Sequence, residues 1–194
     1  MKKYRSILLF GAPGAGKGTQ GKILGVIPNF FHCACGDVFR NLRADSPLGK
    51  IFIDYSGRGQ LVPDEPTIEL WRQSIENNTK VGRFHPEQDT LVLDGIPRNV
   101  RQAEILKDTL NVVAVFLLKS ADEKKLINRI QRRAIKENRL DDANLDVIRD
   151  RLHVYENETK PVLNFYGKKV VHQINADQSP AKVLADILHI AATK

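Results

Sequence analysis

The chain has 194 residues, of which 42% are hydrophobic and 27% charged, a balance that supports one soluble domain with a substantial core and excludes a disordered or fibrous protein. Its net charge of +7 favours anionic partners, but the basic residues form no tail or block, so composition does not single out nucleic acid. Two cysteines, Cys33 and Cys35, make neither a disulfide framework nor a zinc knuckle, and no apolar run approaches the length of a membrane span or a signal-peptide core. The expectation is a soluble protein of a reducing cytoplasm.

The first predicted strand is Ile7 to Phe10, an apolar run that ends in turn residues. Gly11-Ala12-Pro13-Gly14-Ala15-Gly16-Lys17-Gly18-Thr19-Gln20 follows, and Gln20 to Leu24 suits a helix. Strand, glycine-rich loop and helix in that order are the context in which a loop of this kind binds phosphate. Residues without a Cβ let successive backbone N–H groups turn toward an anion, and the helix N-terminus adds its positive dipole end. Lys17 adds a full charge. The usual hydroxyl directly after the lysine is displaced by Gly18, so Thr19 carries it.

Four more strands are predicted at Phe30 to Cys33, Thr90 to Leu93, Val112 to Leu118 and Lys169 to Ile174. Helices are predicted over Pro66 to Glu76, Arg101 to Leu110, Ala121 to Lys136, Asp142 to Tyr166 and Pro180 to Ala192. Asp64 or Thr67 is a candidate cap for the first of these, and Ser179-Pro180 for the last. Runs apolar on both sides, alternating with helices, predict a doubly wound α/β fold around a five-stranded parallel sheet. Gly36 to Pro63 and the charged link Ala134 to Asp142 interrupt that alternation as candidate mobile covers.

Arg40, Arg98, Arg133, Arg139 and Arg151 fall where the covers would meet the C-terminal edge of the sheet. Arginine binds phosphate oxygens through a planar fork and keeps its charge. Arg149 and Arg151 face different ways on one helix, so at most one of them turns inward. Positive charge gathered over a glycine loop suits phosphoryl transfer, where positioning and electrostatics supply most of the catalysis.

With these segments in place, the chain resembles the adenylate kinases and related nucleoside monophosphate kinases. The matching stretches are the glycine loop, Cys35-Gly36-Asp37-Val38-Phe39-Arg40, Gly59-Gln60-Leu61-Val62-Pro63-Asp64, and Asp94-Gly95-Ile96-Pro97-Arg98 with Gln102. Arg133, Arg139-Leu140-Asp141-Asp142, Arg151-Leu152 with Tyr155, and Asn175-Ala176-Asp177-Gln178 follow in order. The resemblance implies one P-loop kinase domain over 1–194, with a monophosphate-binding flap at 34–63 and a short ATP lid at 133–143. It implies an enzyme that moves the γ-phosphoryl group of MgATP reversibly to AMP, giving two ADP.

The resemblance also implies roles. Gly14, Ala15, Gly16, Lys17, Gly18 and Thr19 hold the ATP phosphates, with Arg133 and the backbone of Gln178 on the ATP side. Thr19, and Asp94 through water, attend Mg²⁺. Cys35, Gln60, Leu61, Val62, Gly95, Ile96, Pro97 and Gln102 shape the AMP site, and Arg40, Arg98, Arg139 and Arg151 clamp the phosphates. Lys17, Arg98, Arg133, Arg139 and Arg151 are the catalytic set. No structural zinc is implied, nor any nucleic-acid or membrane partner, and a monomer is expected. The Ile96-Pro97 bond is expected to be cis.

Two positions depart from the pattern. Cys35 stands where threonine is usual, and Asn99 after Arg98 is more familiar in UMP/CMP kinases. A pyrimidine monophosphate kinase is therefore the alternative, and a P-loop ATPase associated with nucleic acid a more distant one. Cys33 reads as a small buried hydrophobe, and Cys35 in a base pocket as a candidate reactive thiol.

Overall fold

The computed structural model describes residues 3–139, 142 and 144–194. Leu140, Asp141 and Ala143, all within the expected lid, lie outside the described residues. Five strands form one sheet: β1 (Tyr4–Phe10), β2 (Phe30–Ala34), β3 (Thr90–Asp94), β4 (Leu110–Lys119) and β5 (Val171–Asn175). Their order is β2-β3-β1-β4-β5, and every pairing is parallel. The helices are α1 (Lys17–Leu24), α2 (Cys35–Arg40), α3 (Pro47–Gly57), α4 (Asp64–Lys80) and α5 (Val100–Leu106). They continue as α6 (Glu123–Glu137), α7 (Leu145–Val154), α8 (Val162–Tyr166) and α9 (Pro180–Ala191).

The unbroken apolar strands follow from burial on both faces. Leu8 and Phe10 enter a core with Cys33, Leu91, Leu93, Trp71 and Phe84. Ile7 and Leu9 point the other way, to Val92, Ala114, Phe116, Leu24 and Ile187. Because side chains alternate along a strand, a sheet covered twice needs an apolar residue at every step.

The predicted strands are all present, each extended by one to three residues at one or both ends, except that the last starts at Val171 rather than Lys169. The helix predicted over Arg101 to Leu110 stops at Leu106, because Leu110 is already the first residue of β4. The long helix predicted from Asp142 to Tyr166 is not continuous. It breaks into α7, a single π-helical turn at Tyr155–Thr159, and α8. Pro161 has no N–H and its ring crowds the preceding turn, and the wider turn before it absorbs the mismatch. The Ala134 to Asp142 link is shorter than expected, since α6 runs on to Glu137 and ends on Asn138 at a positive φ of 49°.

Caps divide similarly. Ser179 accepts from the Lys182 N–H and so caps α9. Neither Asp64 nor Thr67 caps α4: Pro63 holds that position, and the Thr67 hydroxyl donates back to the Pro63 carbonyl at 2.8 Å. Register then builds the site. Asp94 pairs with Leu9 of β1 and Ala34 of β2, which brings the ends of three strands to one edge.

Candidate active site

A cavity of about 840 Å³ opens at that edge. Such crevices outside the carboxyl ends of parallel strands are where α/β sheets take ligands. Its floor is the glycine loop. Gly14 (φ 81°) and Gly16 (φ 97°) hold left-handed backbone that other residues adopt only with strain. A Cβ on Gly14 would also come within 2.6 Å of the Leu126 carbonyl oxygen. α1 therefore starts at Lys17 with its first turn facing the cavity.

The Lys17 ammonium donates to the carbonyls of Gly11 (2.7 Å) and Ala12 (3.1 Å). Burial lowers its pKa to about 8; Asp94 works against that shift, while Arg98, Arg133 and Arg151 add to it. Asp94 ends β3 beside α1, with Oδ2 3.5 Å from where a Cβ on Gly18 would stand. Thr19, also on the cavity wall, is exposed.

The arginines converge from distant parts of the chain. Arg98 follows β3 through a cis Ile96-Pro97 bond, and its Nε donates to the Gly95 carbonyl at 2.9 Å. Gly95, at φ 80°, leaves room for that guanidinium, which would otherwise meet a Cβ at 3.1 Å. Arg133 on α6 donates to Oδ2 of Asp142 at 2.8 Å, and Arg151 on α7 donates to Oδ1 of the same carboxylate. Asp142 is completely buried between them. Arg40 and Arg139 each reach Oδ1 of Asp37 at 3.3 Å, and Arg139 also pairs with Glu137 at 2.7 Å. Arg149 faces solvent and pairs with Asp146, so of that helix pair only Arg151 lines the cavity.

The predicted site residues thus share one cavity, including Gln60, Leu61, Val62, Pro97 and Gln102. Ile96 is the exception, packed into the core at 1% exposure. The Gln178 side chain turns to Asp186. Asn99 does not line the cavity: its side chain caps α5, accepting from the Gln102 N–H at 2.8 Å. The reading that made Asn99 a mark of pyrimidine preference loses its structural footing. Cys35 lines the cavity, but burial pushes its thiol up to about 11 despite Arg98. That shift works against the reactivity expected of Cys35, since the thiolate is the nucleophile. Cys33, pushed to about 12, sits in the core as expected.

Other contributors escaped the sequence reading. Phe39 and Phe52 stack at 5.2 Å, and the Arg40 guanidinium lies 5.7 Å from the Phe52 ring centroid, forming an aromatic part of the cavity wall. Asp37 and Asp142 lie inside the matching segments, but their residue types alone do not mark them as partners of the arginines. The spacing of Asp37 and Arg40 was the only hint.

Comparison with known proteins identifies the family. The family model described as adenylate kinase matches residues 9–171. An adenylate kinase of a Cyanothece species is 38% identical over 190 residues, covering 95% of this chain and 93% of the relative. One from Thermobifida fusca is 40% identical over 169 residues, covering 84% and 85%. One from Parabacteroides distasonis is 36% identical over 173 residues, covering 85% and 87%. With a glycine loop, a converging set of arginines and this extent of likeness, the chain belongs to the adenylate kinase family.

Proposed function

We propose that the cavity binds MgATP and AMP together and transfers the γ-phosphoryl group between them, giving two ADP. The observation that carries this is the convergence of five arginines from α2, α6, α7 and two loops on the glycine loop and Lys17, within one cavity large enough for two nucleotides. In this reading Gly14 to Thr19 hold the ATP phosphates through backbone N–H groups and the α1 N-terminus. Lys17 and Arg98 span the transferring group, Arg133 works from the ATP side, and Arg40, Arg139 and Arg151 hold the acceptor phosphate. An oxygen of that phosphate is already a nucleophile, so positioning and charge neutralisation carry the step. Asp37 and Asp142 hold the guanidinium groups of Arg40, Arg139, Arg133 and Arg151 in place around the cavity.

The Thr19 hydroxyl and the Asp94 carboxylate are hard oxygen donors that fit Mg²⁺, which when bound neutralises charge on the phosphate oxygens. The 34–63 and 133–143 segments act as the covers that exclude water, which would otherwise compete as acceptor. Phe39 and Phe52 offer faces to the acceptor side. We read the protein as a cytoplasmic monomer whose cations serve nucleotides rather than nucleic acid. Two buried unpaired thiols and the gathering of arginines inside the cavity favour that reading.

The test is ADP formation from MgATP with AMP, CMP, UMP, GMP or no acceptor, alongside Arg98→Ala. AMP should be strongly preferred, and the variant should lose about 10²–10³-fold in turnover with its fold intact. Hydrolysis indifferent to acceptor, or a variant of normal turnover, would overturn the assignment.

A further inference from the structure

Asp64 is the first residue of α4 and caps nothing. Its side chain turns to α5 instead. Oδ1 accepts from Nδ2 of Asn99 and from Nε2 of Gln102, both at 2.8 Å, while Arg101 Nε stands 3.8 Å from Oδ2. A carboxylate oxygen offers only lone pairs, so both amides must present their NH₂ groups to it. At its other end, Gln102 Oε1 accepts from the Arg98 N–H at 2.8 Å, and a backbone N–H can only donate. Turning the Gln102 amide over would set oxygen against carboxylate and NH₂ against N–H. Gln102 is 1% exposed, so water cannot relieve either conflict.

We propose that Asp64 is a specificity-determining positioning residue: it locks the Gln102 amide in one orientation and thereby selects the base of the phosphoryl acceptor. The proposal rests on reading this end of the cavity as the monophosphate site. A locked amide offers one remaining N–H and one remaining oxygen lone pair in a fixed order. Adenine presents an amino donor beside a ring-nitrogen acceptor, and cytosine shares that pattern. Guanine and uracil present a carbonyl beside a ring N–H, the reverse order. An amide able to turn over would serve both pairs. One held by Asp64 and the Arg98 N–H serves the amino bases and leaves buried groups unpaired against the others. Asn99 holds the carboxylate on the α5 side through Nδ2, while its Oδ1 caps α5 by accepting from the Gln102 N–H, so it steadies both Asp64 and Gln102 without lining the cavity itself.

The experiment measures kcat and KM with MgATP and AMP, CMP, GMP or UMP for the whole protein and for D64A, D64N and Gln102→Leu. D64A should raise the AMP KM about tenfold and change kcat less than about threefold, while the kcat/KM preference for AMP over GMP falls about tenfold. D64N, whose carbonyl still accepts from both amides, should keep that preference within about threefold of wild type. In the Gln102→Leu background, D64A should remove no further preference. If D64A fails to fold, D64S carries the same expectation, since its hydroxyl is one bond too short to reach either amide. A folded D64A or D64S as selective as wild type overturns the lock, as does an equal loss in the Gln102→Leu background. A wild type that phosphorylates no monophosphate defeats the functional reading itself.

Discussion

Burial lowers the pKa of Lys17 to about 8, so nucleotide binding at this loop should be coupled to proton uptake. With its pKa lowered to about 8 by burial and by Arg98, Arg133 and Arg151, the free protein holds the ammonium about nine-tenths charged at pH 7, half at pH 8 and one-tenth at pH 9. Triphosphate oxygens brought against the amine reverse the cause of the shift, because an opposite charge favours the protonated form. Binding should then restore full charge and take up about 0.1 proton at pH 7 and about 0.5 at pH 8. The apparent affinity should weaken about tenfold from pH 7 to pH 9, or ~1.4 kcal/mol. MgATP itself is fully deprotonated at pH 8. The neighbouring thiols lie far higher, Cys35 at about 11 and Cys33 at about 12, so neither contributes. Calorimetric titration of MgATP at pH 8, in buffers of different ionisation enthalpy, reads the uptake directly. Lys17→Arg, which stays charged throughout, should abolish both the uptake and the pH dependence. No uptake by wild type at pH 8, or unchanged uptake in the variant, would refute the reasoning.

Three further outcomes follow from packing and charge. Asp142→Leu leaves Arg133 and Arg151 facing each other without their shared buried carboxylate, and should cost the free protein about 2 kcal/mol of stability by denaturant melts; saturating nucleotide should recover part of that loss, because phosphates replace the missing anion, and equal losses with and without nucleotide would contradict it. Gly21→Ala places a Cβ within 2.9 Å of the Nε2, Cδ2 and Cε1 atoms of His32 and should destabilise by about 1–3 kcal/mol, with His32→Ala relieving part of the cost in the double variant. Cys35 should resist thiol reagents in the folded protein at pH 8 and react fully on unfolding, since its pKa of about 11 leaves little thiolate; rapid labelling of the native chain would show the pocket to be wetter or more positive than its burial indicates.

Local chemistry made part of this protein legible from its residues. The phosphate loop is set by glycines whose backbone no other residue adopts without strain, and by a lysine and a helix that follow it directly in the chain. The central strands β1 and β3 were readable because burial on both faces demands continuous apolar runs, and Ser179-Pro180 because a cap acts within three residues. Where neighbours in sequence compete, boundaries slipped, as when Leu110 left a predicted helix for β4 and Pro161 opened the π turn.

Tertiary structure alone decided the rest. Opposite charges on different elements carry no mark of their pairing: Asp142, nine residues from each, bridges Arg133 and Arg151 because α6 and α7 pack against each other, and Asp37 meets Arg139, 102 residues away, only across the cavity. Asp64 looked like a helix cap and became an amide lock, since its helix starts beside α5. Asn99 and Cys35 looked like departures in a base pocket, yet one is a cap and the other a thiol buried at 3% exposure on the cavity wall. In each case the residue type was visible and its partner was not, because hydrogen-bond and ion-pair energies depend on distances of a few ångströms that only the folded chain sets.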